Sequence, residues 1–141
     1  MKSKSLFALL LFWGITTFTF AQNPIGVWKT IDDETGKARS HVEIFEENGK
    51  LHGKVIKLLD PESDVCTTCT GDRKNQPLVG MRILWDMYKS GSTWKGGKIF
   101  SPTKDTEYRC KLWFDDKSGQ ELKVRGYVYA FYRTQTWHRI K

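Results

Sequence analysis

Short runs of alternating apolar and polar residues recur along the chain from about residue 27 to its end. The alternation is clearest from Tyr108 to Phe114, where Tyr, Cys, Leu and Phe occupy every second position. A period of two residues is typical of strands with one buried face, and no window sustains the 3.6-residue period of an amphipathic helix. The pattern predicts eight strands, at Val27–Ile31, Ala38–Glu46, Leu51–Leu59, Met81–Tyr88, Trp94–Ser101, Glu107–Asp115, Glu121–Val128 and Arg133–Lys141.

The breaks between most of these runs carry the Gly, Asp, Asn and Ser residues that tight turns require. Consecutive strands are therefore predicted to pair antiparallel. Because the sequence offers almost no helix to cover the apolar face, the sheet must close on itself or fold into a sandwich. We predict an all-β fold, a single closed eight-stranded antiparallel barrel. An immunoglobulin-like sandwich is the alternative, but its two core cysteines flanking a tryptophan are missing.

Three local features of the sequence lead to further predictions. One face of the fourth strand is expected to present Met81, Ile83, Trp85 and Met87. The adjacent Gly96 and Gly97 predict a sharp bend, because glycines allow a sheet to curl where a barrel turns. Between strands 3 and 4 runs a long polar loop, from Asp60 to Gly80. Loops of this length in compact domains are usually functional or locally stapled.

The first 21 residues have the layout of a cleavable signal peptide. Lys2 and Lys4 precede an apolar run from Leu6 to Phe20, and the small residue Ala21 follows. A membrane anchor, the alternative, needs about 20 apolar residues and a charged stop, whereas this run is shorter. We therefore predict a single mature domain, residues 22–141, that is periplasmic or secreted and makes no stable membrane insertion.

The amino-acid composition argues against a nucleic-acid partner and adds little else about function. The chain has 23 Lys and Arg residues against 16 Asp and Glu, a formal net charge of +7. These cations are spread along the chain, whereas nucleic-acid binding concentrates them on one element. No nucleic-acid partner is expected, and the sequence leaves the oligomeric state undetermined.

The cysteines offer the strongest candidate chemistry. Cys66 and Cys69 form a CxxC pair, which serves as a redox dithiol, half a zinc site or a short disulfide. Export to an oxidising compartment favours a Cys66–Cys69 disulfide. A bridge from one of them to Cys110, or metal or redox chemistry, remains the alternative. Cys110 is otherwise expected to be a buried free thiol.

No other motif points to catalysis. A nucleophile elbow, an HExxH helix and a dinucleotide fingerprint are all absent from the sequence. The carboxylates fall mostly in turns, where a solvated, turn-capping role is usual. We therefore expect no enzyme activity, no cofactor and no metal; the enzymatic alternative is a carboxylate at the barrel mouth or thiol chemistry at the CxxC pair.

Aromatic and polar residues suggest where a barrel would bind a ligand. An eight-stranded barrel is either filled by side chains or holds one small molecule. Polar residues at inward-capable positions of the last strand favour the second outcome, a small amphipathic or hydrophobic ligand. The predicted ligand-binding residues are Trp85, Tyr108, Arg125, Gln135 and Trp137. An envelope scaffold or protein-interaction module with a packed barrel is the alternative function.

Both ends of the mature chain are expected to meet where the barrel closes. Gly26 immediately precedes the first predicted strand, Trp28 lies on it, and Arg139 lies on the last. In a closed barrel these strands are neighbours, so the guanidinium can stack on the indole ring. We predict that these three residues seal one end of the barrel.

Several segments together resemble a known family of small exported bacterial proteins, domain of unknown function 2147. The similarity covers essentially the whole mature chain, at Pro24–Trp28, Gly53–Val55, Pro77–Met81, Trp94–Ile99, Leu122–Tyr127 and Arg133–Trp137. The resemblance implies a lipocalin-like barrel, and it implies no established activity.

Overall fold

The computed structural model describes residues 22–59 and 61–141, so the predicted signal peptide lies outside the described residues. The described chain forms one closed barrel in which each strand pairs antiparallel with the next and β1 pairs with β8. The strands are β1 Gly26–Ile31, β2 Ala38–Glu47, β3 Lys50–Leu58, β4 Arg82–Ser90, β5 Thr93–Ser101, β6 Thr106–Trp113, β7 Glu121–Val128 and β8 Phe131–Arg139. The predicted all-β barrel is confirmed, including its long loop between β3 and β4.

The fourth strand departs from the predicted alternation. Leu84 is fully buried and Trp85 faces outward, opposite Lys98 of β5. Asp86 then adopts a left-handed conformation, with φ of 55°, and Met87 is again fully buried. Such an irregular residue shifts the alternation of side chains along a strand. The expectation that Trp85 and Met87 share a face was therefore wrong.

Two adjacent glycines lie where β5 is bent, as predicted. The register between β5 and β6 shifts between Trp94 and Gly97. A side chain at Gly97 would lie 2.6 Å from the sulfur of Met87, and it would also meet the carbonyl oxygen of Trp85. The glycine thus lets the backbones of β4 and β5 approach closely at the bend.

The loop between β3 and β4 folds back along the barrel. Its described part, residues 61–80, contains one short 3₁₀ helix, Gly71–Arg73. Thr68 Oγ1 donates to the carbonyl of Pro102 at 2.6 Å, and Arg73 pairs with Glu107 at 2.8 Å. The loop is therefore fastened to the β5–β6 turn and the start of β6.

A disulfide joins Cys66 and Cys69 within this loop, with a Cα–Cα distance of 5.4 Å. Both cysteines are buried, at 2% and 0% exposure. The remaining cysteine, Cys110, is buried in the barrel as a free thiol, and burial raises its pKa far above that of an exposed thiol. Because the thiolate is the reactive form, burial makes Cys110 a poor nucleophile in the folded protein.

Candidate functional site

One end of the barrel contains an open cavity of about 460 Å³. The ends of β1, β3, β5 and β7 and the starts of β2, β4, β6 and β8 surround it, and the 61–80 loop forms part of its rim. Its apolar wall includes Val55, Leu58, Leu78, Ile83, Ile99, Phe100, Val124 and Trp137. Small-molecule sites typically have volumes of about 300–1,000 Å³ and mainly apolar walls. The cavity therefore has the size and lining of a small-ligand site.

The structure places three of the five predicted ligand-binding residues on this wall and two outside it. Tyr108, Gln135 and Trp137 line the cavity. Trp85 lies on the outer surface, where the guanidinium of Arg73 stands 5.5 Å from its ring. Arg125 also faces outward, because the neighbouring Val124 points into the barrel.

Sequence reasoning chose Trp85 and Arg125 for their chemistry, although the alternation on the seventh predicted strand already set Arg125 opposite Val124. Arg125 instead donates from Nε to Thr134 Oγ1 at 2.7 Å, and its guanidinium lies 4.2 Å from the ring of Tyr132. It is thus part of the outer surface of β7 and β8. The prediction that Trp85 and Arg125 contact a ligand in the cavity is therefore wrong.

The polar groups on the wall are satisfied by one another. Trp137 Nε1 donates to Gln135 Oε1 at 3.0 Å, and Gln135 Nε2 donates to Asp33 Oδ1 at 3.3 Å. The hydroxyls of Thr30 and Ser40 lie 2.9 Å apart. Throughout the described residues, every buried side-chain nitrogen or oxygen has a hydrogen-bond partner. The wall therefore does not require a polar ligand, and its free surface is mainly apolar.

A cluster of ion pairs ties the turn between β1 and β2 to the opposite side of the mouth. Arg133 of β8 donates from Nε to Asp33 at 2.8 Å and pairs also with Glu34. Lys104, in the β5–β6 turn, donates to the same Glu34 carboxylate at 2.8 Å. Arg39 lies 3.5 Å from Asp32. We call Asp32, Asp33, Glu34, Lys104 and Arg133 the mouth cluster.

Hydrogen bonds and nearby cations at the mouth hold the pKa of Glu34 and of Asp32 below their usual range. The hydrogen bond from Arg133 is the main cause at Glu34, followed by the hydrogen bond from Lys104. At Asp32, partial burial acts to raise the pKa, but backbone hydrogen bonds from Thr35 and Glu34, with Arg39, outweigh it. Both groups therefore prefer the charged form more in the folded protein than in the unfolded chain.

These lowered pKa values predict a loss of stability in acid. A carboxylate whose pKa is lower in the folded protein than in the unfolded chain stabilises the fold at pH values above its unfolded pKa, about 4. This contribution is lost as the pH falls through the folded pKa. We expect the free energy of unfolding in urea to fall as pH drops below about 4, and the Arg133→Gln variant to lose part of this dependence. Added salt should weaken it also, because the cluster is largely exposed.

Arg109→Gln is the matched control for this measurement. Arg109 is exposed, and within the described chain no carboxylate lies in ion-pair distance of it. Its loss should leave the pH dependence unchanged. If the stability of Arg133→Gln falls with acid as steeply as that of the unsubstituted protein, the ion pairs of Arg133 do not cause the acid dependence.

The predicted closure residues meet at the other end of the barrel. Trp28 and Arg139 are paired across β1 and β8, and the guanidinium lies 4.2 Å from the indole ring. Arg139 also donates to the carbonyls of Gly119, Ile25 and Asn23, at 2.8, 3.1 and 2.7 Å. Gly26, with φ of 142°, allows this approach, since a side chain there would lie 2.7 Å from Arg139 Nη1.

The N-terminal segment covers this closed end. The indole nitrogen of Trp28 donates to the carbonyl of Pro24 at 2.7 Å, and both residues are fully buried. The ring of Phe114 lies 6.1 Å from that of Trp28 and 6.0 Å from that of Trp94. Aromatic packing and the arginine therefore close much of this end, where a cleft of about 250 Å³ remains beside Ile25, Leu51 and Trp94, whereas the larger cavity lies at the open end.

Sequence reasoning missed most of the cavity wall. Val55 and Val124 alternate correctly on their strands, so their inward direction was available from the pattern. Asp33 was read as a solvated turn residue, because the sequence contains no local sign of its contact with Arg133, 100 positions away. Leu78 lies in a loop, where periodicity gives no direction at all.

The described residues contain no group of three or more His, Cys, Asp and Glu side chains arranged to hold a metal ion. They also contain no helix long and apolar enough to cross a bilayer.

Comparison with known proteins gives one family and one related fold. Residues 26–139 match the family model described as an uncharacterized protein conserved in bacteria, DUF2147. A solved structure, described as protein HP1028 from the human pathogen Helicobacter pylori and as belonging to the lipocalin family, superposes with a TM-score of 0.71. The two chains share 24% identity over 84% of each, so this likeness concerns the fold. No curated protein matches the sequence.

Proposed function

Because this chain belongs to the bacterial family DUF2147, which has no characterised activity, we propose a function from its cavity: an exported carrier of a small amphipathic or hydrophobic molecule, without catalysis. The observation that carries the proposal is the open cavity of about 460 Å³ with its apolar wall. Burying apolar ligand surface there would supply the main binding free energy, about 25 cal/mol per Å². The pair of Gln135 and Trp137 is hydrogen-bonded within itself, so the Tyr108 hydroxyl and the rim are left to contact a polar group.

The charges of the rim favour an amphipathic ligand over a purely apolar one. Arg133 and Lys104 lie at the mouth beside Asp33 and Glu34. A ligand with an apolar body would occupy the barrel, while its polar end exchanged hydrogen bonds with these side chains. The same cavity argues against the scaffold alternative, since a scaffold has no need of an unfilled interior.

Export and the absence of catalysis are supported by the cysteines. The Cys66–Cys69 disulfide is of a kind that persists in oxidising compartments. It agrees with the signal-peptide pattern of the first 21 residues. With these two sulfurs bonded to each other and Cys110 buried, no free thiol of the described chain is available as a nucleophile. We propose that the disulfide serves only to hold the loop at the rim.

Blocking the cavity tests the proposal. Val55 points into the cavity at 4% exposure, and its neighbour Ile56 points outward at 37%. We expect Val55→Phe to weaken binding of the apolar fluorophore N-phenylnaphthylamine by about tenfold or more, equivalent to about 1.4 kcal/mol. Fluorescence titration measures the Kd, and thermal unfolding checks that the barrel remains intact.

Ile56→Phe is the matched control, since it adds the same ring to the same strand outside the barrel. It should leave the Kd unchanged. If the fluorophore does not bind the unsubstituted protein, or if both variants lose affinity equally, the cavity is not the binding site. Native mass spectrometry of the protein as purified would then show whether any small molecule accompanies it.

A further inference from the structure

The hairpin between β7 and β8 carries an unusual group of exposed aromatic side chains at the open end of the barrel. Tyr129 is 90% exposed, Phe131 79% and Tyr132 59%. Arg133, at the mouth of the cavity, is only two residues from Phe131. We call Tyr129, Phe131 and Tyr132 the aromatic tip. Scattered apolar residues are common on protein surfaces, but adjacent exposed aromatics mark an interaction site.

The turn at the aromatic tip requires a backbone conformation that tyrosine rarely adopts. Val128 pairs with Phe131, so Tyr129 and Ala130 form a two-residue turn. Tyr129 has φ of 53°, a left-handed conformation that such turns usually assign to Asn or Gly. A bulky aromatic residue at positive φ is an outlier. Folding alone therefore does not account for a tyrosine at this position.

A basic face adjoins the aromatic tip on the outer surface of β6 and β7. Arg109 is paired in the sheet with Tyr127, and Lys111 with Arg125. The ring of Tyr127 lies 6.0 Å from that of Tyr132, which joins the face to the tip. In the part of the chain that the structure describes, none of these three cations has a carboxylate within ion-pair distance. The basic face, Arg109, Lys111 and Arg125, thus carries uncompensated positive charge.

We propose that the aromatic tip and the basic face together dock the protein on an anionic lipid bilayer. Tyrosine rings favour the membrane–water interface, where the ring is buried and the hydroxyl stays hydrated. Lysine and arginine are attracted to the negative surface potential of anionic lipids. Neither signal suffices alone, but two weak signals combine to give stable peripheral attachment.

Docking through this surface brings the cavity mouth to the lipid. The tip extends from the same strands whose Val124, Gly126 and Gln135 line the cavity. An amphipathic molecule leaving the bilayer would then meet the open end of the barrel. The docking surface does not depend on the proposed carrier function, because it uses side chains outside the cavity.

Vesicle sedimentation tests the docking surface. The protein is used after mass spectrometry has verified its processed N-terminus, so that the apolar run of residues 6–20 does not itself bind lipid. We expect it to sediment with vesicles of phosphatidylethanolamine and anionic phosphatidylglycerol, and much less with phosphatidylcholine alone. Raising the salt concentration should release it, since salt screens the basic face.

Two sets of variants locate the surface. Tyr129→Asn with Phe131→Ser removes the two most exposed rings of the tip, and the asparagine suits the left-handed turn, so the fold is retained. Replacing Arg109, Lys111 and Arg125 by Gln removes the basic face. Each set should weaken vesicle binding by about tenfold or more. In the basic face each cation is worth about fivefold near a charged surface, and in the tip two rings lose their burial at the membrane interface. Neither set should change the affinity for N-phenylnaphthylamine.

Matched controls lie at the closed end of the barrel. Lys50, Lys95 and Lys117 are exposed there, and their replacement by Gln changes the net charge equally. Tyr88→Ser removes an aromatic side chain that is 46% exposed. These controls should retain vesicle binding. Absence of vesicle binding, equal loss in the controls, or burial of the tip in a dimer in solution would overturn the proposal.

Discussion

Replacing Gly97 by alanine will destabilise the barrel by about 3 kcal/mol or more. The added methyl group would meet the carbonyl oxygen of Trp85 and lie 2.6 Å from the sulfur of Met87 and 2.9 Å from the carbonyl carbon of Asp86. The sulfur belongs to a flexible side chain and can move, but the other two atoms belong to the backbone of β4. The strands can separate only by breaking the pairing that forms the bend.

Gly49→Ala is the control for this substitution. Unlike Gly97, Gly49 has a positive φ, 75°, but a side chain there would meet nothing within 4 Å. Only the conformational cost applies, about 1 kcal/mol. Urea unfolding followed by tryptophan fluorescence measures both free energies. Equal losses at the two positions would mean that close contact between strands is not what Gly97 provides.

Replacing Arg139 by methionine will cost about 2–4 kcal/mol and loosen the closed end. The guanidinium donates to three backbone carbonyls and stacks on the ring of Trp28. Hydrogen bonds from a charged donor contribute about 1.5–3 kcal/mol each, and the stacking adds to them, but the contributions are not additive. The methionine retains the aliphatic contact with the indole ring and removes every hydrogen bond.

Arg139→Lys separates charge from geometry. A lysine keeps the positive charge but has no planar fork of donors, so we expect it to recover less than half of the lost stability. Arg109→Met, an exposed arginine on the opposite part of the surface, should change the unfolding free energy by less than about 0.5 kcal/mol. If Arg139→Lys is as stable as the unsubstituted protein, charge alone accounts for the effect.

The positions of the strands were predictable because burial on one side of a sheet imposes a strict two-residue period. The predicted β4 began at Met81 and ended at Tyr88, whereas the strand runs from Arg82 to Ser90. Pattern reasoning failed within this strand at Trp85, which was predicted to face the cavity and faces outward, and at Asp86, where a left-handed residue changes the face of the next side chain. Asp is tolerated in that conformation, but nothing in the local sequence requires it.

The candidate site was harder to predict than the fold. Gln135 and Trp137 followed from alternation on β8, and the structure places both on the cavity wall. Arg125 was chosen for its guanidinium although it alternates with the inward Val124. The mouth cluster joins Asp33 to Arg133, and such a contact depends on the path of the whole barrel.

The sequence by itself determined that the chain forms strands, that consecutive strands pair antiparallel, and that Cys66 and Cys69 are near enough to bond. Each of these follows from local spacing, because alternation, turn residues and a three-residue separation act within one or two strands. Only the tertiary structure decided that the barrel keeps a cavity at one end. It also decided which of the turns surround that cavity and which face each aromatic residue occupies. These features depend on how side chains from distant strands fill a shared volume, and no single segment contains that information.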